Sequence, residues 1–253
     1  MTKKWALITG ATVGIGDSFA RLLAGKGYNL VINARSKDKL EERAAFLREK
    51  FGVEVVILAA DLATECEVVE KYLTDNEVEV LINNAGFGLN QSFLSSDIAD
   101  EQRVLDVLVR APMRLMHAVL PQMRKRDSGI VINVSSTAAF IAGGHYSAAK
   151  SYLTVMSESL HTQLAPTNVR VSSLNPGFVR TEFHQRAGMK MGAIPGFMWL
   201  NGDFLVKQAW ADAVKGKAIS IPGWQYKLLR LIIAIAPRRT VRKMGMSLRT
   251  KQR

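Results

Sequence analysis

Seven short aliphatic runs punctuate the chain, at residues 5–9, 30–34, 54–59, 80–83, 129–134, 169–174 and 218–221. Their centres read Ala-Leu-Ile, Leu-Val-Ile, Val-Val-Ile-Leu, Val-Leu-Ile and Ile-Val-Ile, continuous rather than alternating. A strand buried on both faces has this pattern. The stretches between the runs are long enough for crossover helices, the first spanning residues 17–26, and the alternation predicts an α/β fold with a parallel sheet. Right-handed crossovers make that sheet doubly wound and put any ligand at the carboxyl ends of its strands. No internal repeat and no low-complexity linker interrupts residues 1–222, and 253 residues suit a single domain. Residues 223–253 read as an extension.

The extension changes the picture that composition suggests. With 48% hydrophobic and 22% charged residues the chain matches an ordinary globular protein, but its formal charge is +12. Nine basic residues and no acidic ones lie from Trp224 onward, which leaves only +3 for the first 223 residues. The basicity belongs to the extension, and with no recognition motif beside it a nucleic-acid partner is not expected. Residues 228–236 form a largely apolar run of about 14 Å as a helix, too short to cross a bilayer. Such a basic, aromatic-led segment can lie in the interface of an anionic membrane, or it can dock over a substrate pocket or a subunit boundary. Both readings stand at this point. One cysteine, Cys66, cannot form an internal disulfide, and the start Met1-Thr2-Lys3-Lys4 is no signal sequence. A cytoplasmic protein, with or without membrane association, is the expectation.

Chemistry enters with the turn Thr9-Gly10-Ala11-Thr12-Val13-Gly14-Ile15-Gly16, between the first strand and the first helix. Glycines there allow a tight turn and close approach of the backbone to a pyrophosphate, which the positive end of the helix attracts. Asn83-Asn84-Ala85-Gly86 follows the fourth strand, Ser135-Ser136 the fifth, and Tyr146-Ser147-Ala148-Ala149-Lys150 begins a helical stretch. Asn175-Pro176-Gly177-Phe178-Val179-Arg180-Thr181 follows the sixth. Tyr146 and Lys150, four apart, share one helix face, and an ammonium beside a phenol is expected to lower the phenol's pKa from about 10. No metal-ligand set is read.

With these motifs in this order, residues 4–222 resemble the short-chain dehydrogenase/reductase family. The resemblance implies a Rossmann-type fold and NADP as cofactor, bound by Thr9, Gly10, Thr12, Gly14, Ile15, Gly16, Arg35, Asp61, Leu62, Asn84, Ala85, Gly86, Lys150, Pro176, Gly177, Val179 and Thr181. Its catalytic residues would be Ser136, Tyr146 and Lys150. The choice of NADP over NAD rests on Ile32-Asn33-Ala34-Arg35-Ser36-Lys37, where no carboxylate repels a 2′-phosphate and Arg35 is placed to hold one. Asp61 matches the family's adenine acceptor, while an N-cap for a helix beginning near Thr64 accounts for it equally well.

The resemblance further implies a hydrophobic small-molecule keto substrate (acyl, lipid or steroid-like), a lid over residues 181–204, and a homodimer or homotetramer formed through residues 113–126 and 147–164. The lid carries Phe183, Met189, Met191, Phe197, Met198 and Trp199, an adaptable apolar set. The short interval from Ser136 to Tyr146, with the extension, is similar to bacterial lipid or acyl (mycolate-type) keto reductases. One departure stands out: Leu108 occupies the place of the family's asparagine, which helps hold a water in the proton relay. That motivates a rival reading, a weakly catalytic NADP-binding scaffold at the membrane surface. His145, beside the tyrosine, reads as an incidental polar group.

Overall fold

The computed structural model describes residues 4–89, 91–181, 194–243 and 245. Among them, seven strands form one parallel sheet: β1 (Trp5–Thr9), β2 (Asn29–Ala34), β3 (Val55–Ala59), β4 (Val80–Asn83), β5 (Gly129–Val134), β6 (Val169–Leu174) and β7 (Ile219–Ser220). The spatial order is β3-β2-β1-β4-β5-β6-β7. The chain therefore reverses direction of growth between β3 and β4, which opens a crevice beyond the carboxyl ends of β1 and β4. Every strand lies within two residues of its predicted bounds, and the edge strand β7 keeps only two residues.

Successive strand residues point to opposite faces, and the continuous apolar runs serve both. Ile8, Ile32, Ile82 and Ile132 face one layer, packed with α1 (Gly14–Ala24), α2 (Lys37–Phe51) and α7 (Gly202–Val214). Leu7, Val31, Leu81 and Val131 face the other, built by α3 (Cys66–Asp75), α5 (Ala111–Lys125) and α6 (His145–Gln163). Cys66 is fully buried in the second layer, where desolvation pushes its thiol pKa up. It is a packing residue.

Three local details depart from the periodicity. α1 begins at Gly14, three residues before the apolar pattern, and Gly14 itself holds φ +60°, which only a glycine takes without strain. α3 begins at Cys66 rather than near Thr64. α4 (Ile98–Leu105) runs directly into α5 through a π-helical turn at Asp106–Arg110. Pro112, with no N–H to give, follows that turn and accounts for the widened ladder.

Beyond β7 the chain turns back onto the sheet. α8 (Trp224–Ile235) carries Tyr226 into the same core as Ile8 and Leu174, so this helix packs on the sheet's own core.

Candidate active site

At the carboxyl end of β1 the chain is held in its turn by Thr9 and Asn84. The buried Thr9 hydroxyl accepts the backbone N–H groups of Asn84 and Ala85, both at 3.0 Å. In return Asn84 Nδ2 donates to the carbonyls of Thr9 (2.9 Å) and Gly10 (3.0 Å). These two side chains shape the turn from below. Gly10 (φ +65°) makes the reversal, and a Cβ on Gly16 would collide with the Gly10 carbonyl, so no larger residue fits there. Val13, the N-cap position of α1, has no side chain able to cap. The first N–H groups of α1 are thus presented toward the crevice beside Thr12 and Ile15, as an anion site requires.

Arg35 is exposed just beyond β2, with Lys37 two residues on. Asp61, beyond β3, is neither a helix cap nor unpaired. One carboxylate oxygen accepts the Ala63 N–H at 3.0 Å, and the other pairs with Arg103. Desolvation raises its pKa, but the Ala63 and Arg103 bonds and the nearby Arg35 charge outweigh that and hold it below the usual range. Glu65 takes the N-cap position of α3 and accepts the Asp61 N–H instead. Arg103, on α4, has no motif to announce it. Leu62 is buried, Ala85 is half-buried, and Gly86 is exposed in the loop just beyond β4.

Ser136, Tyr146 and Lys150 come together at the carboxyl ends of β5 and β6. Of the two serines, Ser135 is buried and its hydroxyl donates to the Lys150 carbonyl at 2.8 Å, which fastens β5 to α6. Ser136 turns the other way, caps a short 3-10 turn through the Ala138 N–H (3.1 Å), and hydrogen-bonds with Tyr146. Lys150 Nζ lies 5.8 Å from the Tyr146 ring centroid and donates to the Val134 carbonyl at 2.7 Å. The Tyr146 pKa is raised, not lowered as its spacing from Lys150 leads one to expect. Desolvation pushes it up to about 12, against the pull of Ser136, and pushes Lys150 down to about 8. A neutral backbone carbonyl is the lysine's partner, and it cannot offset the loss of water.

These shifts have opposite signs in stability. Between about 8 and 10.5 the unfolded chain holds the Lys150 proton that the folded one releases, so stability rises with pH across that window. Between 10 and about 12 the folded chain holds the Tyr146 proton longer, and stability falls. We expect the denaturation midpoint of wild type minus that of Lys150→Met to climb from pH 8 to pH 10. A flat difference would show that the lysine is not desolvated.

Leu108, inside the π-helical turn, is buried against this group. Its Cδ2 lies 2.8 Å from where a Gly86 side chain would begin, and with Lys150 it lines a small cavity beneath the crevice. His145 is not incidental: its Nδ1 pairs with the buried Glu101, whose other oxygen accepts the Ser96 hydroxyl. That pair ties the start of α4 to the start of α6.

After β6, Pro176 accepts the Thr137 N–H at 2.9 Å, Val179 is buried, and Thr181 stands against Gly14 at 3.1 Å from a would-be Cβ. A cleft of about 250 Å³ lies here, lined by Gly14, Ser18, Arg21, Arg180, Thr181 and Asp203. The structure also reveals a residue without any motif. The Tyr226 ring fills the space a Cβ on Gly177 would need, its hydroxyl accepts the Phe178 N–H at 2.8 Å, and it donates to the Met198 carbonyl. Phe197 and Met198 lie on a short 3-10 turn beside it and Trp199 tilts against Phe178, whereas Phe183, Met189 and Met191 lie outside the described residues.

Residues 4–191 match the short chain dehydrogenase family. The human very-long-chain 3-oxoacyl-CoA reductase is 32% identical over 188 residues, covering 71% of this chain and 60% of that protein. The chain thus spans about three fifths of the length of such relatives. Among solved structures, a short-chain dehydrogenase from Sphingobium yanoikuyae in complex with NADPH superposes with a TM-score of 0.83 at 29% identity, over 92% of this chain and 96% of that one. A bulky-bulky ketone specific alcohol dehydrogenase from Comamonas testosteroni does so with a TM-score of 0.80 at 26% identity, over 94% and 96%.

Proposed function

The chain belongs to the short-chain dehydrogenase family, and from that premise we propose that it is an NADPH-dependent reductase of hydrophobic ketones, of acyl, lipid or steroid-like kind. The observation that carries this reading is the grouping of Ser136, Tyr146 and Lys150 beside a glycine cradle that accepts no side chain at Gly16. The cradle fits a dinucleotide: the uncapped N-terminus of α1 suits a pyrophosphate, and Arg35 suits a 2′-phosphate. When bound, NADPH supplies the hydride.

The chain's own residues do the rest. Tyr146, with its pKa near 12, is fully protonated at neutral pH and gives its proton to the substrate's carbonyl oxygen. Ser136, in hydrogen-bond contact with Tyr146, orients that oxygen and stabilises the charge growing on it. Lys150, with a pKa near 8, regains full charge when an anionic group approaches and then favours proton release by Tyr146. Phe178, Met198 and Trp199 supply an apolar wall for the substrate.

The subunits associate as a homodimer or homotetramer through α5 and α6, which expose Met113, Tyr152 and Val155. Among the described residues no helix is long and apolar enough to cross a membrane. The basic extension instead brings the protein to a membrane surface, where its substrate dissolves.

The test is NADPH consumption, followed by absorbance, against long-chain 3-oxoacyl thioesters and steroidal ketones, with Tyr146→Phe as control. Turnover of an apolar ketone above that control supports the reading, and its absence across the panel sinks it. The Arg35 contact is expected to make NADPH bind about ten to a hundred times more tightly than NADH, as a charged hydrogen bond of about 1.5–3 kcal/mol implies. Fluorescence titration of Arg35→Ala should find that preference largely gone.

A further inference from the structure

α8 is apolar on two sides, and only one of them is covered. Tyr226 and Ile233 face the core. Trp224, Leu228, Leu231 and Ile235 recur at intervals of four, three and four residues and therefore form one stripe along the helix. That stripe is exposed at 71%, 50%, 60% and 78%, with Ile232 beside it and the exposed Phe197 reached through the Gln225 Nε2 bond to its carbonyl at 3.1 Å. A surface helix ordinarily turns charged residues outward. Here the outward face is the more apolar one.

The charges sit around the stripe. Lys227 is exposed on the same helix, and Arg238, Arg239, Arg242 and Lys243 are exposed immediately beyond its end. No acidic residue occurs from Trp224 to the last residue of the chain. A second copy pairing on the stripe would bring this uncompensated positive set against itself. A surface both apolar in depth and negative at its face satisfies both halves of the pattern, and that is the boundary of an anionic lipid bilayer.

We propose that the outer stripe of α8 inserts into the headgroup boundary of an anionic membrane, with Trp224 as an interfacial anchor and the flanking lysine and arginines on the lipid phosphates. The proposal rests on the reading of the extension as membrane-facing, and it names the face that makes contact. The inner side of the same helix holds the substrate end of the site: Tyr226 braces Phe178 and Met198, and Arg230 stacks over Phe140 at 4.4 Å, in the loop between Ser136 and Tyr146. One helix therefore separates the lipid from the ketone site, and a hydrophobic substrate reaches that site without crossing open water.

The experiment is co-sedimentation of the full-length chain with vesicles of phosphatidylcholine alone and of phosphatidylcholine mixed with phosphatidylglycerol. Leu228→Ser/Leu231→Ser and Arg238→Glu/Arg239→Glu are run beside the wild type, and a thermal melt of each reports its folding. Wild type should sediment with the mixed vesicles only. The apolar pair should weaken binding at least tenfold at low salt, and the charge pair should abolish it. Raising salt from about 0.1 M to 1 M, which shortens the screening length from about 10 Å to 3 Å, should release the wild type. Failure of the wild type to bind either vesicle would overturn the membrane reading altogether. Binding by the wild type that Leu228→Ser/Leu231→Ser leaves intact would overturn this face while sparing that reading. A drop in the sedimenting mass of the variant in free solution, with vesicle binding unaltered, would overturn it in favour of a second copy. NADPH turnover, measured separately, fails or survives independently of all three.

Discussion

Tyr146→Phe is expected to lower turnover of any accepted ketone by a factor of about 10² to 10⁴, the usual worth of a positioned general acid, while leaving NADPH affinity close to wild type. The substitution removes one oxygen. The ring remains on α6, and Ser136 keeps its other partner, the Ala138 N–H, so the fold has little reason to change. Lys150→Ala should behave differently, weakening cofactor affinity and rate together, because a buried ammonium carrying a 2.7 Å bond to Val134 is lost from the crevice wall. The split between the two variants in affinity, read by fluorescence titration, is the informative quantity. If Tyr146→Phe turned over a ketone at the wild-type rate, the proton would have to come from elsewhere, and the weakly catalytic scaffold would become the better reading.

Gly177→Ala is expected to damage both stability and cofactor binding through a residue that is nowhere near it in sequence. The new methyl would enter the Tyr226 ring, and since Tyr226 is fully buried neither partner can retreat without moving backbone. Overpacking of this kind costs about 1–3 kcal/mol. Tyr226→Leu alone should cost about 3–5 kcal/mol, because it leaves a cavity and strands the Phe178 N–H and the Met198 carbonyl. The double variant Gly177→Ala/Tyr226→Leu, whose shorter side chain leaves room for the methyl, should lose less than the sum by at least about 1 kcal/mol. Denaturant midpoints of the four proteins decide it, and strict additivity would mean the two residues do not press on one another.

The sheet could be read from the sequence because its signal is local: a strand covered on both faces must be apolar at every position, and Ala6 to Ile8 or Val80 to Ile82 say so within a few residues. The glycine turn and the Tyr146–Lys150 spacing were legible for the same reason. What escaped the reading depends on neighbours distant in sequence. Tyr226 looks like any aromatic at a helix start until Gly177 is placed against it. Arg103 and Glu101 acquire meaning only when α4 is laid beside Asp61 and His145. The Tyr146 and Lys150 shifts followed from burial away from solvent, which a four-residue spacing does not report. The π-helical turn had a local cause in Pro112, but a proline near a helix start ordinarily reads as a boundary, not as a bulge inside one continuous helix.

The place of Tyr226 downstream of all seven strands has a consequence for the order in which the protein matures. A chain emerging from the ribosome can pair β1 through β6 and cover them with α1 to α6 while α8 is still unmade, since those contacts lie wholly upstream. The segment around Gly177, however, receives its hydroxyl bracket from a residue 48 positions later. Nascent chains therefore pass through a stage that has the sheet but an unset loop at the crevice, and that loop is fixed only once residue 226 has been made and has folded back.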